Sequence, residues 1–393
     1  MPASPGQIPV ARPDPNNPQA FPIKSWLAIA LFFTALCSLA LVRPTAGQNR
    51  KSKSAPKPTP TPASKAMKGV GAPPPGPVLR KKTDEDVKPG DIISVETSEV
   101  MLPVTVRDSS GRLISDLTRN DFHVFEDNRE QPLSDLAIRQ VPVDVILMVD
   151  ASSSVAANLD DFRRAAEKFA ERLDPNDRIC LIKFDDHVEL LQDWTKSRFQ
   201  LQRALNRISA GVFTRFNDAL YLAAHDQFGP TQSRRAIIIL SDGIDSGRGA
   251  TSTERALQSI LEAQVTVYVI SNTEISRASK RAELDSLTSS DSSARFNELR
   301  IEDLREGLRA LDDSEQKLAQ LTEASGGRLY KPRSFDRLDD AYREVADELR
   351  RQYAIYYSPL NKTRDGSFRR VRVETSNPNY NTTTRVGYYA PHG

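Results

Sequence analysis

The sequence predicts an α/β fold, a doubly wound and mainly parallel sheet, flanked by a small β-sandwich built from segments on either side of it. Three observations predict this. Predominantly apolar runs at 143–149, 236–240 and 265–270, interrupted by Asp144 and Thr266, have the character of strands buried on both faces. Amphipathic helices alternate with them: Leu159, Phe162, Ala166, Phe169 and Leu173 recur at helical spacing. On both sides of this block the pattern changes to the period-two alternation of strands with one covered face.

The 393 residues divide accordingly into 1–47, a tail with an apolar segment; 48–90, a linker; 91–140, a first β-rich segment; 141–350, the α/β domain; and 351–391, a second β-rich segment pairing with 91–140. Residues 1–22 are Pro-rich, and residues 26–42 form an apolar run behind Lys24. As a helix that run spans roughly 25 Å, at the lower end of what crosses a bilayer. It reads as the apolar core of a signal peptide, cleaved near Ala46 or Gly47, or as a retained N-terminal anchor. Arg43, Arg50, Lys51, Lys53 and Lys57 follow it, whereas only Arg12 and Lys24 precede it. For a retained anchor, that asymmetry favours a cytoplasmic C-terminal side. Any membrane contact is assigned to this segment alone. The linker, rich in Pro, Lys, Ser and Ala, has no means of burying a core.

The net charge of +2 hides an asymmetry. Residues 1–82 carry 12 Lys and Arg against one acid, Asp14; the remaining 42 Lys and Arg face 51 acids. The folded part is acidic, which excludes nucleic acid as its partner. Of the two cysteines, Cys37 lies in the apolar run and Cys180 in a strand predicted at 178–184, so no intramolecular disulfide framework is expected.

In the first flank Val100, Leu102, Val104 and Val106 fall on one face, before a turn at 108–111. In the second, residues 352–357 and 369–374 alternate around an Asp365-Gly366 turn, and Tyr353, Tyr356, Tyr357, Tyr388 and Tyr389 are expected to pack the sandwich. Each flank is too short to fold alone, hence the expected pairing. Within the middle domain the helix at 159–173 is followed by strands at 179–184 and 188–191, helices at 197–208 and 216–227, the strand at 236–240, a helix near 254–262 and the strand at 265–270. Residues 273–313, charged and Ser-rich, exceed what such a fold needs and read as an insertion of loop and helix.

Asp150-Ala151-Ser152-Ser153-Ser154 stands at the C-terminal end of the first buried strand, where open α/β sheets place their ligands. A carboxylate and hydroxyls are hard oxygen donors suited to Mg²⁺, Mn²⁺ or Ca²⁺; the competing reading is a helix-capping cluster. Ser241-Asp242-Gly243 places a second carboxylate at the end of another strand, and Thr214 lies in a loop between them. In order, spacing and strand context these pieces resemble the metal-ion-dependent adhesion site of the von Willebrand factor A domain family, over roughly residues 143–349.

The resemblance implies a divalent-metal site of Asp150, Ser152, Ser154, Thr214 and Asp242. The hydroxyls of Ser152 and Ser154 would bind the ion directly and Thr214 directly or through water. The two carboxylates would hold coordinated waters. It implies Mg²⁺, or Mn²⁺ or Ca²⁺, as cofactor and a protein partner offering Asp or Glu to the open position. The sequence departs from the family pattern at Ser153, where Gly is usual, and at Val212-Phe213, where Gly-Gly is usual. Asp218, four residues beyond Thr214, is expected to buttress its helix; Asp245 has no assigned role. The flanks, with landmarks such as Leu117-Thr118, Asp121-Phe122, Gly326-Gly327-Arg328 and Gly387-Tyr388-Tyr389-Ala390-Pro391, resemble bacterial, acidobacterial-type proteins of the same family. That implies an exported protein, anchored or secreted.

Catalysis lacks support. Ser152 is not in a Gly-x-Ser-x-Gly elbow. The four histidines, His123, His187, His225 and His392, fall in no metal or triad spacing. An aspartyl-phosphate reading of Asp150 fails because Ser152 stands where a second acid is expected. The expectation is a non-enzymatic binding module. Two alternatives stand beside it: a phosphoryl transferase or hydrolase using the same ion, and a structural module whose site no longer binds metal.

Overall fold

The structure is a computed structural model and describes residues 99–138, 141–153, 155, 158–229, 233–289 and 297–392. The predicted apolar segment at 26–42, the linker at 48–90 and Ser154 lie outside the described residues. Among the described residues no helix is long and apolar enough to cross a membrane.

Four strands come first: β1 (Val100–Arg107), β2 (Phe122–Glu126), β3 (Arg129–Gln131) and β4 (Leu133–Ile138). The β2–β3 hairpin turns on Asp127 and Asn128, at φ of 49° and 65°, two residue types that tolerate left-handed backbone. The α/β block then runs β5 (Val143–Asp150), α1 (Leu159–Arg172), β6 (Arg178–Phe184), β7 (Val188–Thr195), α2 (Arg198–Leu205), α3 (Phe216–Asp226), β8 (Arg234–Leu240), α4 (Thr253–Glu262), β9 (Thr266–Ile270), α5 (Thr273–Thr288), α6 (Glu298–Ser325), β10 (Arg328–Tyr330) and α7 (Leu338–Arg351). Ser197 and Ser252 cap α2 and α4 through their hydroxyls. The chain closes with β11 (Tyr353–Tyr357), β12 (Phe368–Thr375), β13 (Asn381–Thr383) and β14 (Gly387–Tyr389).

The central six-stranded sheet has the order β10-β9-β8-β5-β6-β7. Its ladders are parallel except at the β7 edge, which pairs antiparallel with β6. All eight residues of β5 are buried because helices cover both faces. Val145, Leu147 and Val149 meet Phe162 and Phe169 of α1 and Tyr342 and Val345 of α7 on one side. Ile146 and Met148 meet Phe216 and Leu220 of α3, Ile260 of α4, and Leu318 and Leu321 of α6 on the other. This alternation is what the pleat demands of a strand in a three-layer core.

The flanks pair as the sequence predicts. Two four-stranded antiparallel sheets, β13-β1-β11-β4 and β14-β12-β2-β3, each mix strands from both ends of the folded region. They enclose one apolar core that includes Leu102, Val104, Phe122, Val124, Ile355 and Val373. Tyr353, Tyr357 and Tyr388 are buried in it, and the Tyr357 and Tyr388 hydroxyls both donate to the buried Glu126 carboxylate at 2.8 Å.

Within 273–313 the described residues form α5 and the first part of α6, and α6 runs on to Ser325 with Leu304, Leu311 and Leu318 buried at seven-residue spacing. That stripe makes α6 part of the second helix layer. The charged residues occupy its solvent face. β7 is also longer than the predicted 188–191, because its partner β6 supplies hydrogen bonds to an edge strand with little apolar content.

Candidate metal centre

β5 and β8 are adjacent, and Val149 lies beside Leu240 in their register. The chain goes from β5 to β6 on one side and returns to β8 on the other, so a crevice opens at the C-terminal ends of β5 and β8. Asp150 ends β5 there, and Ser241-Asp242 follows β8. Loop 211–214 is tied to the first motif: the Gly211 N–H donates to the Ala151 carbonyl at 2.8 Å, and the Ser153 hydroxyl donates to the Val212 carbonyl at 3.2 Å. Thr214 is tied to the loop after Asp242. Its N–H donates to Ser246 Oγ at 2.7 Å, and its carbonyl accepts from the Ser246 N–H at 2.9 Å. The structure thus gathers Asp150, Ser152, Thr214 and Asp242 at one edge, with 0%, 3%, 7% and 5% exposure.

Asp150 is held on both oxygens. Oδ1 accepts from the Ser152 N–H at 2.9 Å and Oδ2 from the Ser241 hydroxyl at 2.5 Å. Burial and the neighbouring Asp242 carboxylate nevertheless push its carboxyl up to about 6. Among the described residues no Lys or Arg forms a salt bridge with Asp150. Two carboxylates that disfavour each other's charge, beside buried hydroxyls, are a donor set that a hard divalent cation would stabilise. No cluster of three or more His, Cys, Asp and Glu side chains suited to metal exists among the described residues. An ion at this edge would therefore rest on two carboxylates and hydroxyls.

Several supporting residues were not read from the sequence. Ser241 reaches Asp150 across the strand boundary. Asp186 accepts from the Val212 and Phe213 N–H groups at 2.9 and 3.3 Å, which holds its carboxyl below the usual range and fixes the loop where the family pattern has Gly-Gly. Neither Val212 nor Phe213 has positive φ, so the loop does not require glycine. Ser314 of α6 donates its hydroxyl to the Asp242 carbonyl. Asp218 stands in the first turn of α3, where its carboxylate pairs with Arg215 at 3.7 Å, and it also accepts from the Ala250 and Thr251 N–H groups at 3.0 and 2.8 Å. Asp245 accepts from the Asn217 N–H at 2.9 Å and so satisfies an otherwise orphaned amide at the start of α3. These are hydroxyl and carboxylate contacts across loops, most of them to backbone, which leave no periodic trace in sequence.

Gly243 has φ of 72°, and a Cβ there would lie 2.7 Å from the Leu318 side chain. Gly243→Ala is expected to cost about 2 kcal/mol through left-handed strain and overpacking. It should also displace Asp242 and weaken divalent-ion binding, which calorimetric titration with Mg²⁺ would read. Unchanged affinity and melting temperature would show that α6 does not position the loop.

Fold and donor set together define an α/β domain with an oxygen-ligand site at its sheet edge. Residues 144–313 match the family model of the von Willebrand factor type A domain, and the chain carries such a domain. No curated protein matches the sequence. Among solved structures, BatB from Bacteroides thetaiotaomicron is 26% identical, with a TM-score of 0.30, over 33% of this chain and 66% of its own. A von Willebrand factor type A protein from Catenulispora acidiphila is 12% identical, with a TM-score of 0.40, over 71% of this chain and 75% of its own. Proximal thread matrix protein 1 from the mussel byssus, with zinc in its MIDAS motif, is 14% identical, with a TM-score of 0.41, over 57% of this chain and 49% of its own. This chain thus spans about half to two thirds of BatB and the mussel protein.

Proposed function

We propose that this chain is an exported, divalent-metal-dependent protein-binding module, without enzymatic activity, that captures an acidic residue of a protein partner. The observation carrying this reading is the convergence of the Asp150 and Asp242 carboxylates with the Ser152 and Thr214 hydroxyls at one buried sheet edge. Ser152, Ser154 and Thr214 would offer neutral oxygens to the ion, while Asp150 and Asp242 orient the hydroxyls and hold waters. The ion, Mg²⁺ with Mn²⁺ or Ca²⁺ as alternatives, supplies an electrophilic centre with a position open to a partner's carboxylate. Ser241 and the Ser152 N–H keep Asp150 oriented toward the edge. The binding unit is the α/β domain at 141–350, carried on the sandwich of 91–140 and 351–391. Export follows the apolar run at 26–42, and the acidobacterial-type landmarks of the flanks support the same placement.

Thermal melts of the full chain in Mg²⁺, Mn²⁺, Ca²⁺ and EDTA test the reading. An ion at a hundredfold its Kd stabilises by about 2.7 kcal/mol. That shift should appear in wild type and vanish in Asp150→Ala and Ser152→Ala. Identical wild-type melts in EDTA and in every metal would refute the metal site. Capture of partners from an envelope extract should be lost in EDTA. Turnover of phosphoester or acyl substrates that disappears in Asp150→Ala would instead favour an enzyme.

A further inference from the structure

We propose that the Phe213–Arg248 pair is a second anchoring point beside the metal site, selecting partner segments that carry two carboxylates rather than one. The inference rests on the binding reading above and specifies the partner that reading leaves open. Phe213 immediately precedes Thr214, and Arg248 lies two residues beyond Ser246, whose backbone and hydroxyl are bonded to Thr214. Both residues therefore stand on the Thr214 side of the site.

The Arg248 guanidinium lies over the Phe213 ring, 3.5 Å from its centroid. Arg248 is exposed and, among the described residues, forms no ion pair. Stacking occupies the face of the guanidinium and leaves its in-plane N–H donors for a planar acceptor. A carboxylate fits them in bidentate fashion. The platform is itself held, because the Asp186 carboxylate accepts from both the Val212 and Phe213 N–H groups. A cation already in place loses little side-chain freedom on binding.

Nearby acids do not compete for it. Asp186 is engaged with loop 212–213, Asp218 with Ala250 and Thr251, and Asp245 with Asn217 and Gly247. Val212, 63% exposed, adds apolar surface on the same rim. The edge thus presents a prepositioned cation next to a site that takes a carboxylate on its ion, and a segment with two acids satisfies both.

The test uses the full chain on immobilised eleven-residue Gly/Ser peptides. One set carries a single Glu and the other carries two, separated by one to five residues, in Mg²⁺ or EDTA. Wild type should retain two-acid peptides of suitable spacing about tenfold better than one-acid peptides, in Mg²⁺ only. Arg248→Gln should bring them to the one-acid level, and Phe213→Leu should lower the preference in part. The Mg²⁺ melt of each variant reports whether its metal loops are intact. Equal retention of one- and two-acid peptides by wild type overturns this inference and leaves the binding reading standing. A two-acid preference that persists in Arg248→Gln also overturns it. No Mg²⁺-dependent retention of any acidic peptide overturns both.

Discussion

Replacing Asp150 by asparagine is expected to stabilise the metal-free protein at neutral pH while abolishing its response to divalent ions. The folded carboxyl is raised from 3.8 to about 6, by burial first and by the Asp242 carboxylate second. Below about pH 4 both folded and unfolded states hold the proton, so the group is neutral to stability. As pH rises from about 4 to 6, the unfolded state loses its proton first. Stability therefore falls through that window and levels off above it. The shift corresponds to about 3 kcal/mol at pH 7.

Asparagine has no charge to bury. It keeps an acceptor for the Ser152 N–H and places an amide nitrogen near Ser241 Oγ. The stability difference between Asp150→Asn and wild type should grow from near zero at pH 4 to about 3 kcal/mol at pH 7, read by urea unfolding in EDTA. Saturating Mg²⁺ should close the gap by stabilising wild type alone. Parallel pH curves for the two proteins in EDTA would mean that Asp150 carries no such electrostatic cost.

The second large effect is expected at Glu348, at the junction of the two parts. Glu348 sits near the end of α7 and is 1% exposed. Oε1 accepts from the Thr105 and Tyr268 hydroxyls, each at 3.2 Å. Oε2 accepts from the Tyr330 hydroxyl at 3.3 Å and from the Arg107 guanidinium. Thr105 and Arg107 belong to the sandwich strand β1; Tyr268 and Tyr330 belong to β9 and β10 of the central sheet. One carboxylate therefore joins a helix and both sheets.

Glu348→Ala leaves a mostly buried guanidinium and three hydroxyls without their acceptor. Removing one partner of a buried ion pair costs about 3–5 kcal/mol, which lowers the melting temperature of a protein this size by on the order of 10 °C. Glu348→Gln, which keeps the shape, should lie between Ala and wild type. A double-mutant cycle with Arg107→Ala should give a coupling of about 1–3 kcal/mol. A Glu348→Ala melt within about 1 °C of wild type would show that the carboxylate does not hold the parts together.

The legible part of this molecule is the part that repeats. Strands β5, β8 and β9 are predominantly apolar because both faces are buried, and the run at 143–149 matches the observed strand to within one residue. The stripe of α1 is equally plain. The Leu304, Leu311 and Leu318 stripe of α6 was present in the sequence too, but charged and Ser-rich surroundings masked it. At the candidate site, the order of Asp150, Thr214 and Asp242 was readable because each follows or precedes a recognisable element.

What the sequence determined by itself was the alternation of buried strands and helices, the pairing of two half-buried β-rich flanks, and the placing of oxygen donors at strand ends. These follow from local periodicity and chain order. Only the tertiary structure decided that Ser241 bonds Asp150, that Asp186 holds Val212 and Phe213 in place of flexible glycines, that Arg248 lies on Phe213, and that Glu348 joins β1 to β9 and β10. Each of these is a contact between elements distant in sequence. Its partners are set by how the packed layers bring loops together, and single polar side chains carry no periodic signal that announces such a meeting.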